Sequence, residues 1–243
     1  MNKESSKARA FRLFYEKICG KGANINLLHR QYLAIYQLRS QLKEILRDFS
    51  GVCLDFGCGA QPYRAYMPNV SRYIGADIVP VDGVELVIKD GVLPPTGNLD
   101  CVLSTQVLEH VKDSAIFAQV FERVNAGGGG KIVISVPFLY HVHGPFDFRR
   151  FTKEGLRLWI ESFGLTVERV QTQGGIGSAM TILFLSWLEF NTTMGAIGKT
   201  IKLLGTPLFI PFTLCCNLLG VLFDKLDRTG AFYNNVIVVA RKM

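Results

Sequence analysis

The residues of this chain best suited to chemistry stand where predicted strands end. The run Leu54-Asp55-Phe56-Gly57-Cys58-Gly59-Ala60 reads as a strand that passes into a glycine turn, with Asp55 just before it as a nearby acceptor. Glycine adopts φ > 0 and has no Cβ, so a ligand can lie against the bare backbone of this turn. In an open parallel α/β sheet, the loop after the first strand is where nucleotide-like ligands bind. The turn therefore predicts a nucleotide-type site, although a Gly-x-Gly alone also occurs in ordinary turns.

Neighbouring residues narrow the kind of ligand. The dinucleotide fingerprint requires a third glycine, and Pro62 occupies that place. A nicotinamide-dependent oxidoreductase is therefore disfavoured, whereas a nucleoside-binding turn is not. Asp77 ends the second predicted strand, where an acid can accept hydrogen bonds from both hydroxyls of a ribose. Asp90 and Gly91 follow the third strand and either contact an exocyclic amine or form a plain turn.

The loops after the fourth and fifth predicted strands hold candidate proton acceptors. A histidine can take a proton from a hydroxyl near neutral pH, and the candidates are His143, His141 and His110. Arginine can hold a carboxylate or phosphate by paired hydrogen bonds. The candidate substrate-binding residues are Tyr140, Asp147, Arg149 and Arg150. Two alternatives stay open, since His110 can simply hold a neighbouring loop and Asp147 can pair internally with either arginine.

Strands and helices must alternate to bring these loops to one edge. The predicted strands are Val52–Phe56, Arg72–Asp77, Val84–Ile88, Leu99–Ser104, Lys131–Val136, Leu165–Gln171 and Asn235–Ala240. The predicted helices cover 6–19, 28–49, Asp113–Val124 and Lys153–Ser162, with Asp113 and Thr152 as N-caps. Apolar strands that alternate with helices predict a parallel sheet covered on both faces.

Composition bounds the class of protein. With 243 residues, of which 49% are hydrophobic, the chain suits one α/β domain with decorations. The six cysteines show neither a disulfide pattern nor metal-ligand spacing, so we expect no metal and a cytoplasmic location. The polar N-terminus has no apolar core, so we expect no signal peptide. Residues 1–50 carry +6 of the net charge of +7, which suits an anionic partner or simply a solvated helix face.

An apolar helical insert is predicted over 175–230, before the last strand. Leu203–Phe223 contains no charged residue and is long enough to span a bilayer. Pro207 and Pro211 make it a poor simple span. A single crossing would also place the last β-strand on the opposite side of the membrane from the rest of the sheet. We therefore favour helices lying in one leaflet, flanked by Lys199, Lys202, Lys225 and Arg228. A cap on the chain's own core and a homodimer contact are the alternatives. The predicted domains are basic helices over 1–50 and an α/β domain over 51–243.

Taken together, these motifs resemble the class I S-adenosylmethionine-dependent methyltransferases. The glycine turn, Asp77, Asp90-Gly91 and Leu108-Glu109-His110-Val111 follow in the order and spacing of the group whose fourth-strand motif ends in Leu-Glu-His-Val, over about residues 50–172 plus the last strand. The resemblance implies a seven-stranded Rossmann-like sheet of order 3-2-1-4-5-7-6 and S-adenosylmethionine as cofactor. The cofactor-binding residues it implies are Asp55, Gly57, Cys58, Gly59, Asp77, Ile78, Asp90, Gly91 and Gln106.

The acceptor is harder to predict. The pattern Pro145-Phe146-Asp147-Phe148-Arg149-Arg150-Phe151-Thr152, preceded by His141 and His143, resembles a subgroup often found with bacterial surface-glycan and lipid-linked sugar pathways. We therefore expect O-methylation of a sugar, lipid-linked or other small-molecule acceptor, with the protein peripheral on the inner membrane face. In-line positioning can suffice for methyl transfer, so no base is strictly required. The alternative is a non-catalytic cofactor-binding regulator or partner subunit. A nucleic-acid substrate is disfavoured, because no Asn/Asp-Pro-Pro-Tyr motif follows the fourth strand.

Overall fold

The computed structural model describes residues 6–127, 129–193 and 195–243. Within them the strands are β1 Ser50–Phe56, β2 Asn69–Asp77, β3 Leu86–Val87, β4 Cys101–Thr105, β5 Lys131–Pro137, β6 Thr166–Gln173 and β7 Asn235–Arg241. The α-helices are α1 Ser6–Cys19, α2 Tyr32–Ile45, α3 Ile116–Glu122, α4 Lys153–Glu161, α5 Ile176–Thr193 and α6 Gly195–Leu226.

The strands form one sheet in the order β3-β2-β1-β4-β5-β7-β6, which confirms the predicted topology. Strands β1 to β5 are parallel, and β7 enters antiparallel between β5 and β6. The β-branched residues of β5 and β7 are buried along almost the whole of both strands, as expected for strands covered on two faces. The carboxyl ends of β1, β2 and β4 therefore meet at one edge, where the predicted site residues lie.

Three predicted elements are clearly shorter than expected. Helix α2 covers Tyr32–Ile45 of the predicted 28–49, because the chain tightens into a 3₁₀ turn over Leu46–Asp48. In the other two elements the reason is a local hydrogen bond. The predicted strand Val84–Ile88 pairs with β2 only through Leu86 and Val87, because the amide of Val84 turns back to Val81. Helix α3 begins at Ile116 because the Asp113 carboxylate caps the amide of Ala115 in a turn before the helix. Thr152 is the N-cap of α4, as predicted, and accepts from the amide of Gly155 at 3.0 Å.

The chain divides into two compact units. One consists of 39–173 and 235–243 and contains the sheet with α3 and α4. Its core is formed by apolar strand residues and the α3 residues Phe117, Val120 and Phe121, all buried. The predicted division into 1–50 and 51–243 is a sequence-based one and stays a prediction.

The second unit comprises the described residues of 1–38 and 174–234 and is helical. Helices α5 and α6 approach closely at Gly177 and Gly220, since a Cβ on Gly177 would collide with the carbonyl oxygen of Gly220. Polar side chains lie inside the unit. Thr181 donates to the carbonyl of Cys216, and the Asn217 amide donates to the Leu27 carbonyl at 2.7 Å. Small residues and internal polar contacts thus hold these two helices together.

Candidate functional site

The glycine turn after β1 has the geometry that close ligand approach requires. Gly57 has a φ of +77°, and a Cβ there would collide with the side chain of Val107. Gly59 has a φ of +47°, and no described atom lies within 4 Å of where its Cβ would be. One glycine is therefore needed for packing inside the protein, and the other leaves the outer side of the turn open. The Cys58 side chain is buried, and burial raises its pKa to about 11, so this residue offers a ligand its backbone.

Asp77 is joined directly to this turn. Its Oδ2 accepts from the backbone amide of Gly59 at 2.9 Å, and its Oδ1 accepts from the amide of Val79 at 3.0 Å. Each carboxylate oxygen retains acceptor capacity beyond these bonds. Ile78, next along the chain, is 70% exposed. The two carboxylate oxygens of Asp77 suit the hydroxyls of a ribose. The exposed side chain of Ile78 next to them suits the face of an adenine.

Asp55 has a different position from the one that the sequence suggested. Its carboxyl is 2% exposed and accepts a hydrogen bond from the hydroxyl of Tyr73. Burial is the main reason that its pKa rises to about 7. A ligand on the turn would meet the backbone of Gly57 and Gly59 before this carboxyl, so Asp55 supports the turn from inside the sheet.

Strained backbone marks the rest of the same edge. Among the described residues, the non-glycine residues with positive φ are Gln61, Asp90 and Gln106, and all three follow strands or turns at this edge. Gln106 is held by Ser135, whose carbonyl accepts from the Gln106 amide at 2.9 Å. Gly91 has open space where a Cβ would stand, and its carbonyl accepts from the side chain of Gln119 at 3.1 Å. The predicted cofactor residues thus converge on one open, rigidly held edge.

These features fit the S-adenosylmethionine that the resemblance implies. The backbone at Gly59 and Gly91 has open space where a Cβ would stand, so a ligand can approach it, and Asp77 and Ile78 lie at the end of β2. Bound there, the cofactor supplies a methyl group activated by its sulfonium. The chain's own contribution is to bind and orient it with backbone and with Asp77.

The predicted substrate arginines both hold loops together. Arg150 forms a two-pronged ion pair with Asp147, whose pKa it holds well below its usual range. Arg150 also donates to the carbonyl of His141 at 3.2 Å, and Arg149 donates to the carbonyl of Lys112 at 2.6 Å. The internal ion pair left open by the sequence is therefore present. Tyr140 stacks on His141 with ring centroids 4.3 Å apart.

His110 and His143 come together although 33 residues separate them. Their Nε2 atoms lie 3.0 Å apart. The Nδ1 of His110 is 3.0 Å from the carbonyl oxygen of Phe146, and the Nδ1 of His143 is 3.2 Å from Asp147 Oδ2. Both side chains are about one-third exposed. Burial lowers the pKa of His143, so this imidazole is neutral at pH 7 and has a lone pair to offer.

Glu109 is the residue of this edge whose role the sequence did not indicate. It lies in the predicted Leu-Glu-His-Val motif, is fully buried, and has Oε1 3.7 Å from His110 Nε2. Burial raises its pKa to about 7. An acid next to His110 was visible in the sequence, but nothing local indicated that it would point inward.

The glycine turn and the histidine pair are parts of one continuous region. Val107, which packs on Gly57, directly precedes the 3₁₀ turn Leu108–His110. The amide of Phe148 donates to the carbonyl of Glu109 at 2.8 Å and ties this turn to the loop that carries His143. A nucleoside-type cradle therefore adjoins a cluster of proton acceptors.

Comparisons with known proteins agree with this geometry. A family model described as a methyltransferase domain matches residues 27–170. No curated protein sequence matches the chain significantly. An O-methyltransferase from a trans-AT PKS multienzyme of Brevibacillus brevis, solved with S-adenosyl-L-homocysteine, is 11% identical with a TM-score of 0.55, covering 100% of this chain and 81% of that one.

Two further solved structures show the same fold. A SAM-dependent methyltransferase from Archaeoglobus fulgidus is 16% identical with a TM-score of 0.52, covering 96% of this chain and 99% of that one. The [4+2]-cyclase SpnF is 16% identical with a TM-score of 0.53, covering 86% of this chain and 82% of that one. At these identities the likeness is one of fold.

Proposed function

Because the chain belongs to the methyltransferase domain family and its cofactor is S-adenosylmethionine, we propose that it methylates a hydroxyl oxygen of a sugar or lipid-linked acceptor. The observation that carries the proposal is the cluster of Glu109, His110 and His143 beside the cofactor cradle. A hydroxyl must lose its proton as its oxygen gains the methyl group, so a proton acceptor at this position suits an O-methyltransferase.

The surrounding residues give His143 a defined orientation. Its backbone amide donates to Asp147 Oδ2 at 3.0 Å, and its Nδ1 lies near the same oxygen. Arg150 holds Asp147 from the other side. With Nδ1 facing a carboxylate, the proton of a neutral His143 belongs on Nδ1, and its Nε2 carries the lone pair, directed toward His110 Nε2 3.0 Å away. The loop thus presents a proton acceptor in one tautomer.

A membrane-bound acceptor is supported by the surface of the helical unit. The exposed apolar side chains of α5 and α6 include Met180, Leu183, Phe184, Trp187, Leu208, Phe212, Leu218, Leu219, Leu222, Phe223 and Leu226. Exposed apolar side chains in this number suit contact with lipid. The buried residues of the two helices include Ser178, Thr181, Ser186, Thr213 and Asn217, and small residues lie where the helices touch, which is typical of helices packed in lipid.

Length and composition agree with this proposal. Among the described residues, Pro207–Leu226 is long and apolar enough to cross a bilayer, and 17% of it is buried, whereas the core helix of a soluble protein is mostly buried. Lys225 and Arg228 are exposed near its end and suit anionic headgroups. The side chains of Lys199 and Lys202 lie outside the described residues. We propose that the helices lie in the cytoplasmic leaflet and that the acceptor is a component of the same membrane.

The experiment that tests this function is a methyl-transfer assay. The full chain is incubated with isotope-labelled S-adenosylmethionine and separate lipid, glycan and protein fractions of a bacterial extract. We expect label in a lipid or sugar fraction, attached as an O-methyl ether by mass spectrometry. Label on nitrogen would overturn the hydroxyl assignment. Cofactor binding without any transfer would favour the alternative of a non-catalytic regulator or partner subunit.

A further inference from the structure

His110 and His143, the two histidines of the site, face each other through their Nε2 atoms. The Nδ1 of His110 has a carbonyl oxygen, that of Phe146, as its partner, so this nitrogen must be the donor. The Nδ1 of His143 lies 3.2 Å from the Asp147 carboxylate. This contact is not a well-directed hydrogen bond, but a lone pair there would face a negative charge, so the proton belongs on Nδ1. In its neutral form, each imidazole therefore directs a lone pair from Nε2 across the 3.0 Å gap between the two Nε2 atoms.

A buried carboxylate faces the same gap. Glu109 is fully buried, and among the described residues no other residue donates a hydrogen bond to either of its side-chain oxygens. A buried polar group without a partner is costly, and a buried carboxylate more so. One ligand atom from each of Glu109, His110 and His143 lies within 4.8 Å of those of the other two, with the two Nε2 atoms 3.0 Å apart and Glu109 Oε1 3.7 Å from His110 Nε2. When Glu109 is ionised and both histidines are neutral, three electron-pair donors converge there with no hydrogen between them.

The positive charge of Arg150 does not satisfy the Glu109 carboxylate with a hydrogen bond. Arg150 directs one guanidinium nitrogen to Asp147 and the carbonyl of Arg149, and the other to Asp147 and the carbonyl of His141. Two carboxylates, Glu109 and Asp147, therefore share one guanidinium. When both histidines are neutral, the two carboxylates outnumber the single guanidinium, so a bound cation would be stabilised electrostatically.

We infer that Glu109, His110 and His143 bind one divalent transition-metal ion of the zinc, iron(II) or manganese kind. Two imidazoles and one carboxylate form a ligand set that such ions use when positions remain open for other ligands. Metal–nitrogen bonds of about 2.0–2.1 Å place two adjacent imidazole nitrogens roughly 2.8–3.4 Å apart, from octahedral to tetrahedral angles, which suits the observed 3.0 Å. The partners of the two Nδ1 atoms, a carbonyl and a carboxylate, are those that commonly orient metal-bound histidines.

No local motif indicated this site, and we expected no metal from the sequence. Its cysteines have no ligand spacing, and His143 is 34 positions from Glu109, so the ligands meet only in the fold. The partial exposure of both histidines leaves one side of the ion accessible. That the open side takes the acceptor's hydroxyl oxygen and eases loss of its proton rests on the proposed function, whereas metal binding itself does not.

The test is a metal titration of the full, tag-free chain without cofactor or acceptor. Zn²⁺ affinity is measured by competition with a chromophoric chelator, and Co²⁺ is followed by its visible absorption. We expect about one equivalent per chain, with affinity lowered at least tenfold in His143→Ala and in the isosteric variant Glu109→Gln. His141→Ala removes a histidine of the same loop that lies outside the cluster, and it should bind as the parent does.

Two outcomes would overturn the inference. Equal Zn²⁺ affinity in all variants would place the ion on cysteines or surface groups, and no binding at all would mean that the histidines share a proton. Circular dichroism of Glu109→Gln shows whether the variant is folded, which keeps a loss of binding interpretable. Because no methyl transfer is measured, failure here leaves the proposed function untouched, and an inactive enzyme that binds one metal ion leaves this inference standing.

Discussion

The backbone amide of Gly59 donates to Asp77 Oδ2 at 2.9 Å, so the turn after β1 and the acid after β2 form a single structure. We expect Asp77→Ala to weaken binding of S-adenosyl-L-homocysteine by more than tenfold. The substitution removes charge-assisted bonds to a ribose, worth about 1.5–3 kcal/mol, and also releases the turn. Isothermal titration calorimetry measures the affinity.

A matched control separates these contacts from general charge loss. Glu85→Ala removes an exposed carboxylate that pairs with Arg72 near the same edge, and it should bind the cofactor product as the parent does. Parent-like affinity in Asp77→Ala would show that this acid does not hold the ribose.

The position of the candidate cofactor residues could be predicted because most of them lie at or just after the end of a strand. Gly57, Gly59 and Asp77 need only the strand ends to be placed correctly, and a parallel sheet then brings those ends together. The boundaries of the strands were harder to predict from the sequence. The apolar run at 84–88 suggested a strand, but only Leu86 and Val87 pair, because backbone turns at both ends compete with the sheet.

The acceptor half depends on how the loop after β5 folds and on contacts distant in sequence. Asp147 could pair with a substrate or with an arginine, and its pairing with Arg150 is decided by how the loop folds. Asp55 is another example, since the sequence placed it near the ligand but the sheet turned it toward Tyr73. Glu109 was visible as part of a motif, but its burial beside His143 arises only from tertiary packing.

Gly57 and Gly59 should respond differently to alanine. Gly57→Ala combines a strained φ with a collision against Val107, and we expect it to lower the free energy of unfolding by about 2–4 kcal/mol. Gly59→Ala has open space and should cost only about 1–2 kcal/mol of strain. Its Cβ would stand where the ligand lies, so cofactor affinity should fall in a folded protein.

Urea unfolding and cofactor titration of both variants check this difference. A Gly59→Ala protein with unchanged affinity would mean that the ligand does not lie on the open side of the turn.

His143→Ala should lower turnover by about 10²–10⁴-fold, the range for loss of a proton-accepting group, while S-adenosyl-L-homocysteine affinity stays within twofold. Affinity should be kept because His143 belongs neither to the glycine turn nor to the strand end that carries Asp77. Initial rates with the acceptor fraction that takes up label, together with calorimetry, measure both quantities. Full activity would show that positioning alone drives the transfer and that the cluster has no part in it.

Membrane binding should depend on the apolar surface of α6 in particular. The paired substitutions Leu218→Glu and Leu222→Glu place charges on residues that are about half exposed, so folding should tolerate them. Each charge would lie against hydrocarbon, and we expect flotation with vesicles of phosphatidylglycerol and phosphatidylethanolamine to fall at least fivefold. Leu158→Glu is the control, because Leu158 is 65% exposed on α4, in the unit that contains the sheet. If the parent protein stays in the soluble fraction with these vesicles, or if all three proteins float equally, the apolar helices do not contact lipid and the acceptor must be sought among soluble molecules.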